Sequence, residues 1–241
     1  MTQKPSIIIR HRNFYGRKKG KNFSNVHKTR LATQLQYLSL KGVSLTENPK
    51  RCSIDLRDTF AETNVWLEIG FGSGEHLVHQ AKKYPEVGFL GCEPYLSGVA
   101  KTIKNINEMG LSNIRIYAGD VRDLFDVLKT ASIAKAFLLY PDPWPKKRHR
   151  KRRFINPDYL IPLARIMKDT SEFRITTDSA DYAAQAIESV PCVGFQILST
   201  SKNCVPDDWK DWISTRYEQK ALKVGGHTHY LTFLRNYYTA S

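Results

Sequence analysis

Val65-Trp66-Leu67-Glu68-Ile69-Gly70-Phe71-Gly72-Ser73-Gly74 decides the fold. Five mostly apolar residues make a short strand. Glycines at alternate positions then let the backbone bend sharply and come close to a bound molecule. Six further runs of strand length follow, at residues 89–92, 113–117, 136–140, 173–176, 195–198 and 230–234. Helical patterns lie between them. Leu96, Val99, Ala100, Ile103 and Ile106 share one face, with Pro94 suited to the first turn. Tyr159, Leu160, Leu163, Ala164 and Met167 share another. This alternation predicts an α/β fold, a doubly wound seven-stranded sheet covered by helices on both faces.

The chain has 241 residues, 41% hydrophobic and 25% charged, enough for one large domain with an appended segment. No apolar run reaches the roughly 18 residues of a bilayer span, and Met1 to Pro5 lack the apolar core of a secretory signal. Cys52, Cys92, Cys192 and Cys204 form no Cys-x-x-Cys pair, so neither a metal site nor a disulfide framework is expected. A reducing cytoplasm is the expected location. The net charge of +14 is unevenly placed. Residues 1–30 hold nine cations and no acid, and residues 146–153 hold seven more cations, leaving the remainder almost neutral. Phe14 and Tyr15 accompany the first patch, Trp144 and His149 the second. Cations interleaved with stacking groups suit RNA. Residues 1–30 are therefore expected to be a flexible RNA-binding arm, and 31–241 a single domain.

In a doubly wound sheet, ligands sit beyond the carboxyl ends of the strands. Gly70, Gly72 and Gly74 follow the first strand, Glu93 ends the second and Asp120 follows the third. Glu93 is placed to accept both ribose hydroxyls of a nucleoside. Asp120 could equally be an N-cap for the helix that follows it. The dinucleotide fingerprint needs a glycine where this chain has Glu75, and a pyrophosphate would meet Glu68 and Glu93 with no cation in the loop. S-adenosylmethionine lacks phosphate and carries a sulfonium cation, which an acidic rim attracts. It is the expected cofactor in preference to a nicotinamide dinucleotide. Glu68-x-Gly70-x-Gly72-x-Gly74 with a later acid resembles the class I methyltransferase superfamily, a Rossmann-like fold whose seventh strand is antiparallel.

After the fourth strand comes Pro141-Asp142-Pro143-Trp144-Pro145-Lys146-Lys147-Arg148-His149-Arg150-Lys151-Arg152-Arg153. Three prolines stiffen the turn, and a run of cations is fused to it. This stretch resembles a signature of the tRNA (guanine-N7)-methyltransferase family, and Thr215-Arg216-Tyr217-Glu218 resembles that family's second signature. The resemblance covers about residues 10–236. It implies methyl transfer to N7 of a guanosine in the tRNA variable loop, with Asp142 as the catalytic and cofactor-side acid. It further implies that Glu68, Glu93 and Asp120 contact the cofactor, and that Lys146, Asp178 and Thr215 through Glu218 contact the substrate. Arg148, Arg150, Lys151, Arg152 and Arg153 are the expected phosphate contacts, and replacing Arg152 and Arg153 together is expected to weaken RNA binding and flatten its salt dependence.

N7 of guanine exposes an in-plane lone pair, so no base, nucleophile or metal is required, and none is recognisable in the sequence. The Watson–Crick edge of guanine offers N1–H and N2–H donors, which an ionised Asp178 or Glu218 could accept. Asp178 could instead cap the following helix, and Glu218 could be a surface ion-pair partner. A methyltransferase acting on an exocyclic amine, whose turn would read Asp/Asn-Pro-Pro-aromatic, is the nearest alternative. A catalytically silent RNA-binding protein on the same fold is another. An obligate protein partner is not indicated.

Overall fold

The computed structural model describes residues 15–16, 18–20, 23–61, 63–223 and 225–236. Most of the basic arm, including Phe14, lies outside the described residues. In chain order the described elements are α1 (Asn25–Leu38), α2 (Arg57–Phe60), β1 (Val65–Ile69), α3 (Glu75–Lys83), β2 (Gly88–Cys92), α4 (Leu96–Glu108) and β3 (Ile114–Tyr117). Then come α5 (Val121–Val127), β4 (Ile133–Leu139), a 3-10 turn (Lys147–Arg152), α6 (Pro157–Ile166), β5 (Met167–Thr177) and α7 (Ala180–Ser189). A short 3-10 turn (Pro191–Val193), β6 (Phe195–Lys202), α8 (Arg216–Lys223) and β7 (His229–Arg235) complete them.

All seven expected strands join one sheet in the order β3-β2-β1-β4-β5-β7-β6. β1 to β5 pair in parallel, and β7 runs antiparallel to both neighbours, β5 and β6. Side chains alternate across the central strands, so each face carries its own core. Val65, Leu67 and Ile69 pack with α5, α6 and α7, where Leu124, Leu163 and Tyr182 are buried. The other face packs Phe89, Ile114 and Ile116 against Leu77 of α3 and Val99 and Ile103 of α4, with Trp66 beside them. Leu31, Leu35 and Leu38 of α1 close over this second core, and Arg30 Nη1 donates to Ala100 O at 3.2 Å. Helix α1 begins within the basic segment, where the Ser24 hydroxyl accepts from His27 N–H.

Two boundaries differ from the periodicity. Pro94 precedes α4 rather than entering it, because Tyr95 is the extended cap residue and its N–H donates to Glu93 Oε1 at 2.8 Å. Met167, expected on the α6 face, opens β5 instead: its backbone turns extended and its apolar side chain stays buried in the same core.

Candidate active site

The order of strands reverses between β1 and β4, and a cavity of about 640 Å3 opens there beyond their carboxyl ends. Gly70 and Gly72 floor it, Glu93 and Asp120 come from the ends of β2 and β3, and Asp142 and Trp144 come from the turn after β4. The glycine loop and α4 are in close register. A Cβ on Gly98 would strike Gly72 O, and one on Gly74 (φ +76) would strike the Thr102 side chain. Gly98 thus lets the helix abut the loop, a constraint that a lone glycine in an apolar helix does not announce.

Glu93 organises this floor. Its Oε2 accepts from Gly72 N–H at 2.7 Å and its Oε1 from Tyr95 N–H at 2.8 Å. Each oxygen keeps a second lone pair for a ligand donor. Burial raises the Glu93 pKa above the ordinary carboxylate value despite those two backbone bonds, and the charges of Asp142 and Glu68 add to the rise. Affinity for a ligand held by ionised Glu93 should therefore fall on acidification already above the usual pH 4.5. Calorimetric titration of S-adenosylmethionine across the mildly acid range should show this, and Glu93→Gln should bind weakly with that pH dependence gone.

Asp120 is the N-cap of the following helix and also lies on the cavity wall. Its side chain accepts from Arg122 N–H at 3.0 Å. Its carboxylate is also held by the Arg122 guanidinium, with Nη2 at 2.5 Å from Oδ2. Glu68 does not face the cavity. It is 4% exposed and bonds His76 Nδ1 at 2.7 Å, while Gln80 Nε2 contacts His76 Nε2 and donates to Asp211 O. The Glu68 carboxylate braces the start of α3 and is not among the residues lining the cavity.

The turn after β4 is rigid for reasons beyond its prolines. Tyr140 and Trp144 take positive φ values of +49° and +41°, a conformation that non-glycine residues seldom adopt. Arg153 braces the Pro143–Trp144 part of the turn. Its side chain is fully buried; Nε donates to Pro143 O at 2.7 Å, Nη1 to Gln185 Oε1 at 2.7 Å and Nη2 to Asp181 Oδ2 at 2.5 Å. Arg153 is therefore a clamp on the turn and not a phosphate contact, a correction to the cation run. Arg150 pairs with Asp181 at 2.6 Å while its side chain stays 47% exposed. Arg152 faces inward and lines the cavity, its guanidinium 4.8 Å from the Tyr15 ring centroid and 4.9 Å from that of Trp144. Lys146, Lys147, Arg148 and Lys151 remain exposed. They form the outward cationic face.

The second signature divides in the same way. Thr215 is buried and caps α8, its hydroxyl accepting from Glu218 N–H at 3.3 Å. Arg216 bridges to α3 through Glu75 Oε1 at 3.1 Å. Glu218 is 4% exposed and accepts from Tyr230 OH and from Trp212 Nε1. Both of its oxygens are engaged, so it is neither a surface ion-pair partner nor free to read a guanine edge; it ties α8 to β7. Tyr217 points the other way, into the cavity mouth, with its ring nearly parallel to that of Tyr140. Asp178 is exposed beyond β5 and outside the cavity lining, and α7 is capped by Ser179 rather than by Asp178.

The first described residues of the arm reach this site too. Tyr15 and Gly16 line the cavity, and Lys18 O accepts from Leu96 N–H at 2.9 Å. Tyr15, Tyr140 and Gly98 are the site residues that sequence reasoning passed over. Tyr140 reads as the last residue of a buried strand, and nothing in the arm singles out Tyr15 for the cavity rather than for RNA. Among the described residues no cluster of three or more His, Cys, Asp or Glu is arranged to hold a metal ion. No helix among them is long and apolar enough to cross a membrane.

Comparison with known proteins agrees with this geometry. A family profile described as "Putative methyltransferase" matches residues 62–231. The tRNA (guanine-N(7)-)-methyltransferase of Ruegeria pomeroyi is 53% identical over 224 residues, covering 93% of this chain and 94% of that protein. The enzyme of the same name from Rhodospirillum rubrum is 39% identical, covering 98% of this chain and 91% of its own. Among solved structures, the 16S rRNA methyltransferase KamB superposes with a TM-score of 0.57 at 14% identity, over 76% of this chain and 91% of KamB. A 16S rRNA (adenine(1408)-N(1))-methyltransferase from Catenulisporales acidiphilia does so with 0.55 at 12%, over 76% and 91%. At those identities the structures speak for the fold alone.

Proposed function

The chain belongs to the tRNA (guanine-N7)-methyltransferase family, and from that premise we infer that it methylates N7 of a guanosine in tRNA, in the variable loop, using the cavity at the β1–β4 crevice. The observation that carries this reading is the fusion of an acid-lined nucleoside-sized cavity to a fixed turn whose far end presents cations. Its volume lies within the roughly 300–1,000 Å3 range of small-molecule sites.

The residues present fit S-adenosylmethionine. Glu93 offers two oxygens oriented by backbone N–H groups for a ribose diol. Glu93 and Asp142 give the walls negative charge, Asp120 being paired with Arg122, and the glycine loop contributes no cation. When bound, that cofactor supplies a methyl group on a positively charged sulfur. The chain's own part is then alignment and electrostatics. The guanine N7 lone pair needs no deprotonation, so no side chain has to take a proton before attack. Holding the base in line with the methyl donor contributes much of the rate. Asp142 stands at the mouth with no hydrogen-bond or ion-pair partner among the described residues, and we assign it to stabilise the positive charge that develops on the purine. Lys146, Lys147, Arg148 and Lys151 lie outside the cavity and would meet phosphates, while the target base is turned out of its stack to enter. The arm reaches the same mouth through Tyr15 and Gly16. This reading puts the protein in the cytoplasm with its tRNA.

Incubation with unmodified tRNA and methyl-labelled cofactor, followed by digestion to nucleosides, tests the assignment. The label should appear in 7-methylguanosine within the variable loop. Label in an N2- or N6-methylated base would move the protein to the exocyclic-amine reading. No label together with no cofactor binding would make it a silent RNA-binding protein.

A further inference from the structure

Two tyrosines face one another across the mouth of the cavity; the family resemblance implies only that Tyr217 contacts the substrate, and the reaction described so far gives neither ring a chemical role. Tyr140 is fixed. Its N–H donates to Thr176 O at 2.9 Å, its backbone is held at φ +49°, and its hydroxyl lies 3.1 Å from Oγ1 of buried Thr228. Tyr217 is the exposed member, at 55% accessibility, carried on the first turn of α8. The flanking residues anchor that helix, Arg216 to Glu75 and Glu218 to Tyr230 and Trp212. The two rings are 18° from parallel with centroids 6.3 Å apart, and both line the cavity that Asp142 also lines. Two rings sandwiching a third need about 7 Å, twice the roughly 3.5 Å contact between carbon atoms. A small outward rock of Tyr217 against fixed Tyr140 opens that space.

We propose that Tyr140 and Tyr217 are the two jaws of an aromatic clamp that receives the target purine and stabilises the positive charge it acquires on methylation. The proposal rests on the guanine-N7 reading above. In the transfer, the bond formed is N7 to methyl carbon and the bond broken is methyl carbon to sulfur. The electron pair of the broken bond stays on sulfur, which becomes neutral, and no proton is exchanged. The positive charge passes to the purine ring system. The face of a tyrosine ring is electrostatically negative and attracts a cation more strongly than a neutral ring. A base held between two such faces is therefore bound more tightly as it becomes cationic, and that difference lowers the barrier. Stacking recognises any base, so the clamp supplies position and charge stabilisation, not sequence readout.

Tyr217 is exposed and its replacement should leave the fold intact, so Tyr217→Leu and Tyr217→Phe are the variants of choice, with Tyr140→Phe alongside. Two quantities are read: the single-turnover rate on tRNA with saturating cofactor, and the relative affinity of free 7-methylguanosine and free guanosine at mildly acid pH, measured by competition. The wild-type enzyme should prefer the methylated nucleoside about tenfold. Tyr217→Leu should slow the single turnover about ten- to a hundredfold and abolish that preference, while cofactor affinity holds. Tyr217→Phe, which keeps the ring, should rescue most of the rate and the preference, as should Tyr140→Phe. An unaffected Leu variant overturns the clamp. So does a Phe variant as slow as Leu, because the hydroxyl rather than the ring face would then matter. Loss of cofactor affinity in step with rate also overturns it, by assigning the ring to the cofactor. A wild-type product other than 7-methylguanosine removes the guanine-N7 reading itself, whereas that product with an unaffected Leu variant removes the clamp alone.

Discussion

Asp142→Ala should lower kcat for methyl transfer about a hundred- to a thousandfold while tRNA affinity and melting temperature stay near wild type. The reasoning starts from what the side chain does not do. Asp142 is exposed, has no hydrogen-bond or ion-pair partner among the described residues, and sits in a turn already fixed by Pro141, Pro143 and Arg153. Its removal therefore costs the fold little, within about 0.5 kcal/mol. A fixed charge in place before the reaction is worth most where charge develops, because nothing has to reorganise when the methyl moves. Asp142→Asn separates charge from shape. It should be nearly as slow as the Ala variant if charge is what counts, and a near-normal Asn variant would leave Asp142 only a positioning residue. A parallel fall in melting temperature would instead make the residue structural.

The second large effect concerns stability. Arg153→Ala should destabilise the protein by about 2–4 kcal/mol, read as a lower melting temperature, with activity lost as the turn loosens. The guanidinium is buried and joins Pro143 O, Gln185 and Asp181 across three segments. Deleting it leaves a buried acceptor unsatisfied and Asp181 with only Arg150. Asp181 is itself 46% exposed, which keeps the penalty below that of a fully buried pair. Arg148→Ala combined with Lys151→Ala is the contrast. Both side chains are exposed, so stability should not move, while the slope of log affinity against log salt should become shallower by about 1.4–1.8. Weakened RNA binding by Arg153→Ala without any change in melting temperature would reverse the assignment.

These two residues also mark how far the sequence was readable. All seven strands were found where apolar runs end in turn residues, and the parallel arrangement followed from the helices between them. Gly70, Gly72, Glu93, Asp120 and Asp142 converge on the cavity, because in a doubly wound sheet strand ends define a single rim. The misreadings share one physical cause. A charged residue's identity says nothing about which partner, distant in sequence, has been brought beside it. Arg153 lies in a run of cations that looks uniformly solvated, yet α7 brings Asp181 and Gln185 against it. Glu218 lies within a signature, yet Tyr230 on β7 and Trp212 bind it from the inside. Glu68 lies one residue from the end of the deciding strand and finds His76, the second residue of the following helix. Tyr140 was read as the last residue of a strand that in fact stops at Leu139, and not as a jaw, because its role depends on α8 reaching the same mouth.

The strand that comes last in the chain is internal to the sheet. β6 has no neighbour except β7, and β5 meets β6 only through β7. During synthesis, β1 to β5 can pair as they emerge, but β6 stays without a hydrogen-bonding partner until Arg235 has left the ribosome. For that interval the nascent chain displays an unpaired strand bearing Ile197 and Leu198, the kind of surface on which chaperones act and aggregation begins. A premature stop before the end of β7 would therefore leave an open-edged product prone to degradation, rather than a slightly shortened enzyme.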